Sequence, residues 1–66
     1  MRYNGHVKGS EMVRLYKQSG WELVRIEGSH HMMKKGIHIE PIPVHRGKDL
    51  RKGLQEKLLK RLKEVG

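Results

Sequence analysis

The feature that most constrains this chain is its shortness combined with a complete lack of cysteine. A chain of 66 residues buries only about 60% of the surface that its unfolded form exposes. Without cysteine it can add no disulfide bond, thiolate nucleophile or cysteine-based zinc site to support so thin a core. We therefore expect one small domain, because the length leaves no room for a nucleotide-binding sheet, a barrel or a second domain.

The N-terminal end differs from the rest of the chain. Residues 1–9 show no periodicity and contain two glycines, so we expect a flexible arm there and a single domain over residues 10–66. No apolar run approaches the roughly 20 residues of a transmembrane helix, and the start lacks the apolar stretch of a signal peptide. We expect a cytoplasmic protein with no membrane partner.

A short helix is the first predicted element. Met12, Leu15 and Tyr16 follow the i, i+3, i+4 spacing of one helix face. Ser10 is a suitable N-cap, and Gly20 can adopt the left-handed conformation that ends many helices. The predicted helix therefore runs from about Ser10 to Ser19.

Three strands are predicted next. Trp21–Glu27 is rich in residues that favour strands, and His30–Lys35 is a weaker strand segment that ends in a glycine-containing hairpin turn. Over residues 37–40 two isoleucines alternate with two polar residues, which predicts a third strand with one apolar and one polar face. We expect Pro41 and Pro43 to end regular pairing, because proline donates no hydrogen bond to a sheet.

The last third predicts an amphipathic helix after a turn at Asp49–Lys52. Its apolar arc is formed by Leu50, Leu54, Leu58, Leu62 and Val65. Arg61 also falls inside this arc, where its long side chain could reach solvent from the edge. The predicted order is thus α-β-β-β-α, with a three-stranded antiparallel meander and two helices.

The charge of the chain suggests a polyanionic partner. Lys and Arg number 15 against 7 Asp and Glu, giving a net charge of +8, which favours nucleic acid, an acidic protein or an anionic membrane. A membrane is the least suitable of the three, because the apolar arc of the last helix is needed for the core of so small a domain.

Histidine is abundant, and four of the 5 histidines lie between His30 and His45. RNA cleavage without a metal needs a base for the ribose 2′-OH proton and cations for the charge on the phosphorane, and histidine exchanges protons near neutrality. His30, His31, His38 and Glu40 could alternatively gather a metal ion, but adjacent strand residues point to opposite faces and no HExxH motif is present. We expect no metal and no cofactor.

Three blocks of sequence resemble one known family, the HicA toxins or YcfA-like mRNA interferases. They are the helix with its Ser19-Gly20-Trp21 exit, the segment Arg25-Ile26-Glu27-Gly28-Ser29-His30-His31, and the stretch from Pro43-Val44-His45 through Asp49-Leu50-Arg51-Lys52-Gly53-Leu54 to Leu58-Leu59-Lys60-Arg61-Leu62. Each block alone is weakly specific, but the three occur in the family's usual order over about residues 10–62.

The resemblance implies an α+β fold like that of double-stranded-RNA-binding domains, with the sheet packed on two helices. It also implies a type II toxin, an endoribonuclease that cleaves mRNA and is neutralised by a HicB antitoxin. The family's catalytic histidine generally follows Gly-Ser directly, which is His30 here; some members carry it one place later, which makes His31 the second choice.

On this basis we expect His30 to be catalytic and no metal to take part. The residues expected to bind RNA are Ser29, His31, Lys34, Lys35, His45, Lys48 and Lys52. Two alternatives stay open, namely a non-catalytic RNA-binding module of the same fold and a basic module that docks an acidic protein.

Overall fold

The computed structural model of the protein describes residues 6–65, and it confirms the predicted order of elements. The elements are α1 (Gly9–Gln18), β1 (Glu22–Glu27), β2 (His30–Lys35), β3 (His38–Pro43) and α2 (Lys52–Val65). The strands form one open antiparallel sheet in the order β1-β2-β3. This is the expected α+β architecture of double-stranded-RNA-binding domains. The prediction that Pro41 and Pro43 end the pairing is wrong: both lie within β3 and pair with β2, since an edge strand tolerates proline. Neither described helix is long and apolar enough to cross a membrane.

Helix α1 begins slightly earlier than predicted. Lys8, not Ser10, is its N-cap, and the Lys8 backbone N–H donates to the Glu11 carboxylate at 3.2 Å. The carboxylate thereby satisfies one of the amides that a helix start leaves unpaired. At the other end Gly20 has φ +90°, which confirms the predicted left-handed residue after the helix.

Both helices pack against one side of the sheet. Met33 of β2 and Ile42 of β3 are fully buried together with Met12, Tyr16 and Leu58 from the two helices. The Tyr16 hydroxyl donates to the Leu58 carbonyl at 2.8 Å and so links α1 to α2. Burial, with a smaller contribution from a nearby carboxylate, raises the pKa of Tyr16 far above its ordinary value. The hydroxyl therefore stays protonated and keeps donating this hydrogen bond.

The start of the domain differs from the expected boundary at residue 10. Val7 is only 5% exposed and belongs to the core. Its N–H donates to Gln55 Oε1 at 2.9 Å, and its carbonyl accepts from the Leu50 N–H at 2.8 Å. Val7 is therefore part of the packed domain. Since Lys8 is bridged to Asp49 and Gly9 begins α1, residues 7–9 do not form a loose arm. Residues 1–5 of the expected arm lie outside the described residues.

Strand β3 has the two predicted faces, but its polar side turns toward the helices. Glu40 is 7% exposed, and its carboxylate lies 3.8 Å from Lys57 Nζ and 3.7 Å from Arg61 Nε of α2. Arg61 Nη2 also lies 3.2 Å from His38 Nδ1. Arg61 thus occupies the apolar arc of α2 because it meets the buried carboxylate of Glu40 and the half-buried ring of His38 on β3.

The opposite side of the sheet is exposed. Paired residues in an antiparallel sheet share a face, and the register pairs His30 with Pro43 and Lys34 with Ile39. Ile39 is 50% exposed. We call this side, which carries His30, Lys34 and Ile39, the open face, and the side that carries Met33, Glu40 and Ile42 the covered face.

Candidate active site

The two histidine-containing motifs of the sequence meet at one end of the sheet. His30 opens β2 directly after the Gly28-Ser29 turn and pairs with Pro43, the last residue of β3. The Val44 N–H donates to the Ser29 carbonyl at 2.7 Å, which ties the loop after β3 to this turn. The Gly-Ser-His segment and the Pro-Val-His segment therefore form a single corner of the molecule.

Gly9 holds the start of α1 against the same corner. A Cβ at this position would overlap the Pro43 carbonyl oxygen and the Val44 Cα, so a side chain there would push the helix away from the end of β3. Glycine permits the close backbone approach. The N-terminal helix thus helps to fix the backbone that carries His45.

The two adjacent histidines project to opposite faces. His30 is exposed on the open face, beside Glu27 and Pro43. His31 pairs with Ile26 and Ile42, which places it on the covered side, where it is half-buried. Its Nδ1 atom is buried and has no hydrogen-bond partner within residues 6–65.

His45 and Lys48 lie in the loop that continues from this corner. Both are exposed, and the Lys48 N–H donates to the His45 carbonyl at 3.0 Å, which turns the loop back on itself. Pro43, the register partner of His30, lines a cleft of about 330 Å³ together with these two residues. Lys52, also exposed, begins α2 shortly after the loop.

The remaining two predicted RNA-binding lysines lie at the far end of β2. Lys34 shares the open face with His30, but four residues along a strand correspond to about 13 Å. Lys35 points to the other face, where its Nζ donates to the Ser19 carbonyl at 2.6 Å. A cation at a helix C-terminus is electrostatically favourable, so Lys35 has a structural contact with the end of α1 that the sequence did not indicate.

Asp49 and Arg51 also line the cleft, although neither was among the residues predicted to bind RNA. Both are exposed. They lie in the same basic stretch as Lys48 and Lys52, and this stretch is the sequence feature that could have pointed to them. Among residues 6–65 no three histidine, aspartate or glutamate side chains gather where they could hold a metal ion.

Comparison with known proteins confirms the family that the three blocks of sequence resemble. The family model described as the HicA toxin of bacterial toxin-antitoxin systems matches residues 9–64 of the 66-residue chain. The match thus covers every element from the start of α1 almost to the end of α2. No curated protein and no solved structure shows a significant match.

Proposed function

The chain belongs to the HicA toxin family of bacterial toxin-antitoxin systems, and from this premise we propose that it is a metal-independent endoribonuclease that cleaves mRNA. Membership makes it a toxin with an antitoxin partner. The observation that carries the catalytic proposal is the corner where exposed His30 adjoins a cleft rimmed by His45 and Lys48. This corner combines two imidazole rings that can transfer protons with the positive charge of a lysine.

The proposed reaction is an intramolecular phosphoryl transfer. His30 takes the proton of a ribose 2′-OH as the 2′-oxygen attacks the adjacent phosphorus; the bond from phosphorus to the 5′-oxygen then breaks, and the 5′-oxygen receives a proton from water. Alternatively, the protonated His30 gives its proton to the leaving 5′-oxygen, and water takes the proton of the 2′-OH. In either case the products are a 2′,3′-cyclic phosphate and a 5′-hydroxyl.

The proposed role of the surrounding residues is to bind RNA and stabilise phosphorane charge. These residues are Ser29, His31, Lys34, Lys35, His45, Lys48 and Lys52. Lys34 on the open face would bind a phosphate some distance from the one cleaved. Lys35 would act from the α1 terminus, since an ammonium that makes one hydrogen bond to Ser19 retains further donors.

His31 is the second candidate for the catalytic residue. Its half-buried ring has an Nδ1 atom without a hydrogen-bond partner among the described residues, and such atoms are uncommon in folded proteins. His30 remains the first candidate because it is the exposed one, and an RNA backbone on the open face could reach it directly.

The proposed partner is a HicB-type antitoxin that covers the corner and excludes RNA. An acidic surface on that protein would complement a chain of net charge +8. Because mRNA is the proposed substrate, we place the activity in the cytoplasm.

The test is RNA cleavage in EDTA by the unmutated protein and by three single variants. His30→Ala should lose cleavage, whereas His31→Ala should retain a substantial part of it. His6→Ala is the matched control, because His6 is exposed and outside the proposed site. Product ends are read chemically, and the unmutated protein should leave 2′,3′-cyclic phosphates.

Three results would change the proposal. Loss of cleavage in His31→Ala alone would move the catalytic role to His31. Cleavage that needs a divalent metal would contradict the proposed mechanism. Salt-sensitive RNA binding without cleavage by any of the proteins would favour the alternative, a non-catalytic RNA-binding module of the same fold.

A further inference from the structure

The cleft beside His30 has an apolar floor and a charged rim. Leu50 is buried and Leu54 is half-buried, and with Pro43 they form the floor, while His45 and Arg51 lie exposed at the rim. At about 330 Å³ the cleft is at the small end of the roughly 300–1,000 Å³ that ligand pockets occupy. These dimensions suit one planar heterocycle better than an extended ligand.

Asp49 is the unusual member of this rim. It is the sole acidic residue between Glu40 and Glu56, in a stretch that otherwise carries only positive charge. Its backbone is fixed by a bridge to Lys8, whereas its carboxylate makes no ion pair or hydrogen bond to another described residue. A carboxylate repels phosphate, so a surface that bound only the RNA backbone would gain nothing from it.

We propose that this cleft binds a guanine base of single-stranded RNA next to the catalytic corner, and that Asp49 selects it. The two carboxylate oxygens of Asp49 accept the N1–H and 2-amino hydrogen bonds of guanine. His45 and Arg51 offer the planar groups on which unstacked bases pack. The inference rests on the proposed function, because it takes RNA as the substrate.

Guanine follows from the geometry of a carboxylate, which accepts two parallel N–H donors best. Guanine has two such donors side by side on its Watson–Crick edge. Adenine and cytosine each present an amino group beside a ring nitrogen acceptor, which a carboxylate repels. Uracil has a single N–H between two carbonyl oxygens, so none of the other three bases can make both hydrogen bonds.

The test measures binding of 2′-O-methyl RNA pentamers, which the proposed reaction cannot cleave because every 2′-OH is blocked. The central base is guanine, adenine, cytosine, uracil or hypoxanthine in an otherwise all-uracil sequence. Hypoxanthine keeps the N1–H of guanine but lacks the 2-amino group. The proteins are the unmutated chain, Asp49→Ala, and Glu64→Ala as a control that removes one exposed negative charge from the far end of α2.

The expected result is a preference of about fivefold or more for guanine over each other base, as a bidentate contact gives. Asp49→Ala should abolish the preference and Glu64→Ala should retain it. Equal affinity of the unmutated protein for guanine and hypoxanthine would overturn the inference even if Asp49→Ala failed to fold. A guanine preference that persists in Asp49→Ala would also overturn it.

Failure of this inference can be distinguished from failure of the proposed function. RNA cleavage without any base preference in the pentamer series would overturn the guanine site and leave the nuclease intact. A guanine preference without cleavage would support the site and overturn the nuclease. If the protein bound neither the pentamers nor longer RNA, both proposals would be wrong.

Discussion

The covered and open faces of the sheet come from the same three strands but differ in what contacts them. On the covered face Met33 and Ile42 pack into the core, and Glu40 meets two cations of α2. On the open face His30 and Lys34 are exposed. In this small domain the covered face thus forms part of the packed core, whereas the open face stays exposed, so substitutions on the two faces should change the free energy of unfolding by different amounts.

The largest expected effect is on the covered face. Leu58→Ala should lower the free energy of unfolding by about 2–5 kcal/mol, because it removes a fully buried side chain and leaves a cavity. Thermal unfolding followed by circular dichroism measures the loss. The control is Ile37→Ala, since Ile37 is 93% exposed and should change stability by less than about 0.5 kcal/mol. Equal losses in both variants would contradict the assignment of the core.

Gly9→Ala should destabilise the protein by about 1–3 kcal/mol, since the new methyl group overlaps the backbone of Pro43 and Val44. Gly53→Ala is the matched control: nothing lies near its Cβ position, and alanine in the first turn of α2 should stabilise the helix by up to about 1 kcal/mol. Denaturant titration of both variants gives the comparison. Opposite signs are expected, and a neutral Gly9→Ala would mean that α1 does not approach the end of β3 so closely.

Glu40→Gln should cost about 1–3 kcal/mol, because it leaves Arg61 without its charged partner beside a buried amide. Glu56→Gln on the exposed surface of α2 makes the same chemical change and should be nearly neutral. Chemical unfolding of the two variants sharpens the comparison between a buried and an exposed carboxylate. If they were equally stable, the contacts between β3 and α2 would not contribute to the fold.

The smallest expected effect on stability is on the open face. Ile39→Thr should change the free energy of unfolding by less than about 0.5 kcal/mol, because the side chain is half-exposed and threonine also favours strands. Calorimetry measures this change. A loss as large as that of Leu58→Ala would show that the open face is packed and would break the distinction between the two faces.

The corner that brings His30 and His45 together could be anticipated only in part. The sequence places His30 and His45 in separate motifs, and their meeting depends on the register that pairs His30 with Pro43. The role of Lys35 in contacting Ser19 was not predictable, because alternation does not say which lysine lies beside a helix end. Asp49 was not predicted as a site residue, because a single acidic residue among basic ones forms no motif that indicates a function.

The sequence by itself determined the number, type and order of the elements, because helical and strand periodicities are local properties of the side chains. It also determined the positive charge that favours a polyanion. The tertiary structure alone decided which side of β3 faces the helices, since a period of two fixes alternation but not direction. It likewise decided that Val7 joins the core, through a hydrogen bond to Gln55. Both outcomes depend on partners distant in sequence, which a local pattern cannot reveal.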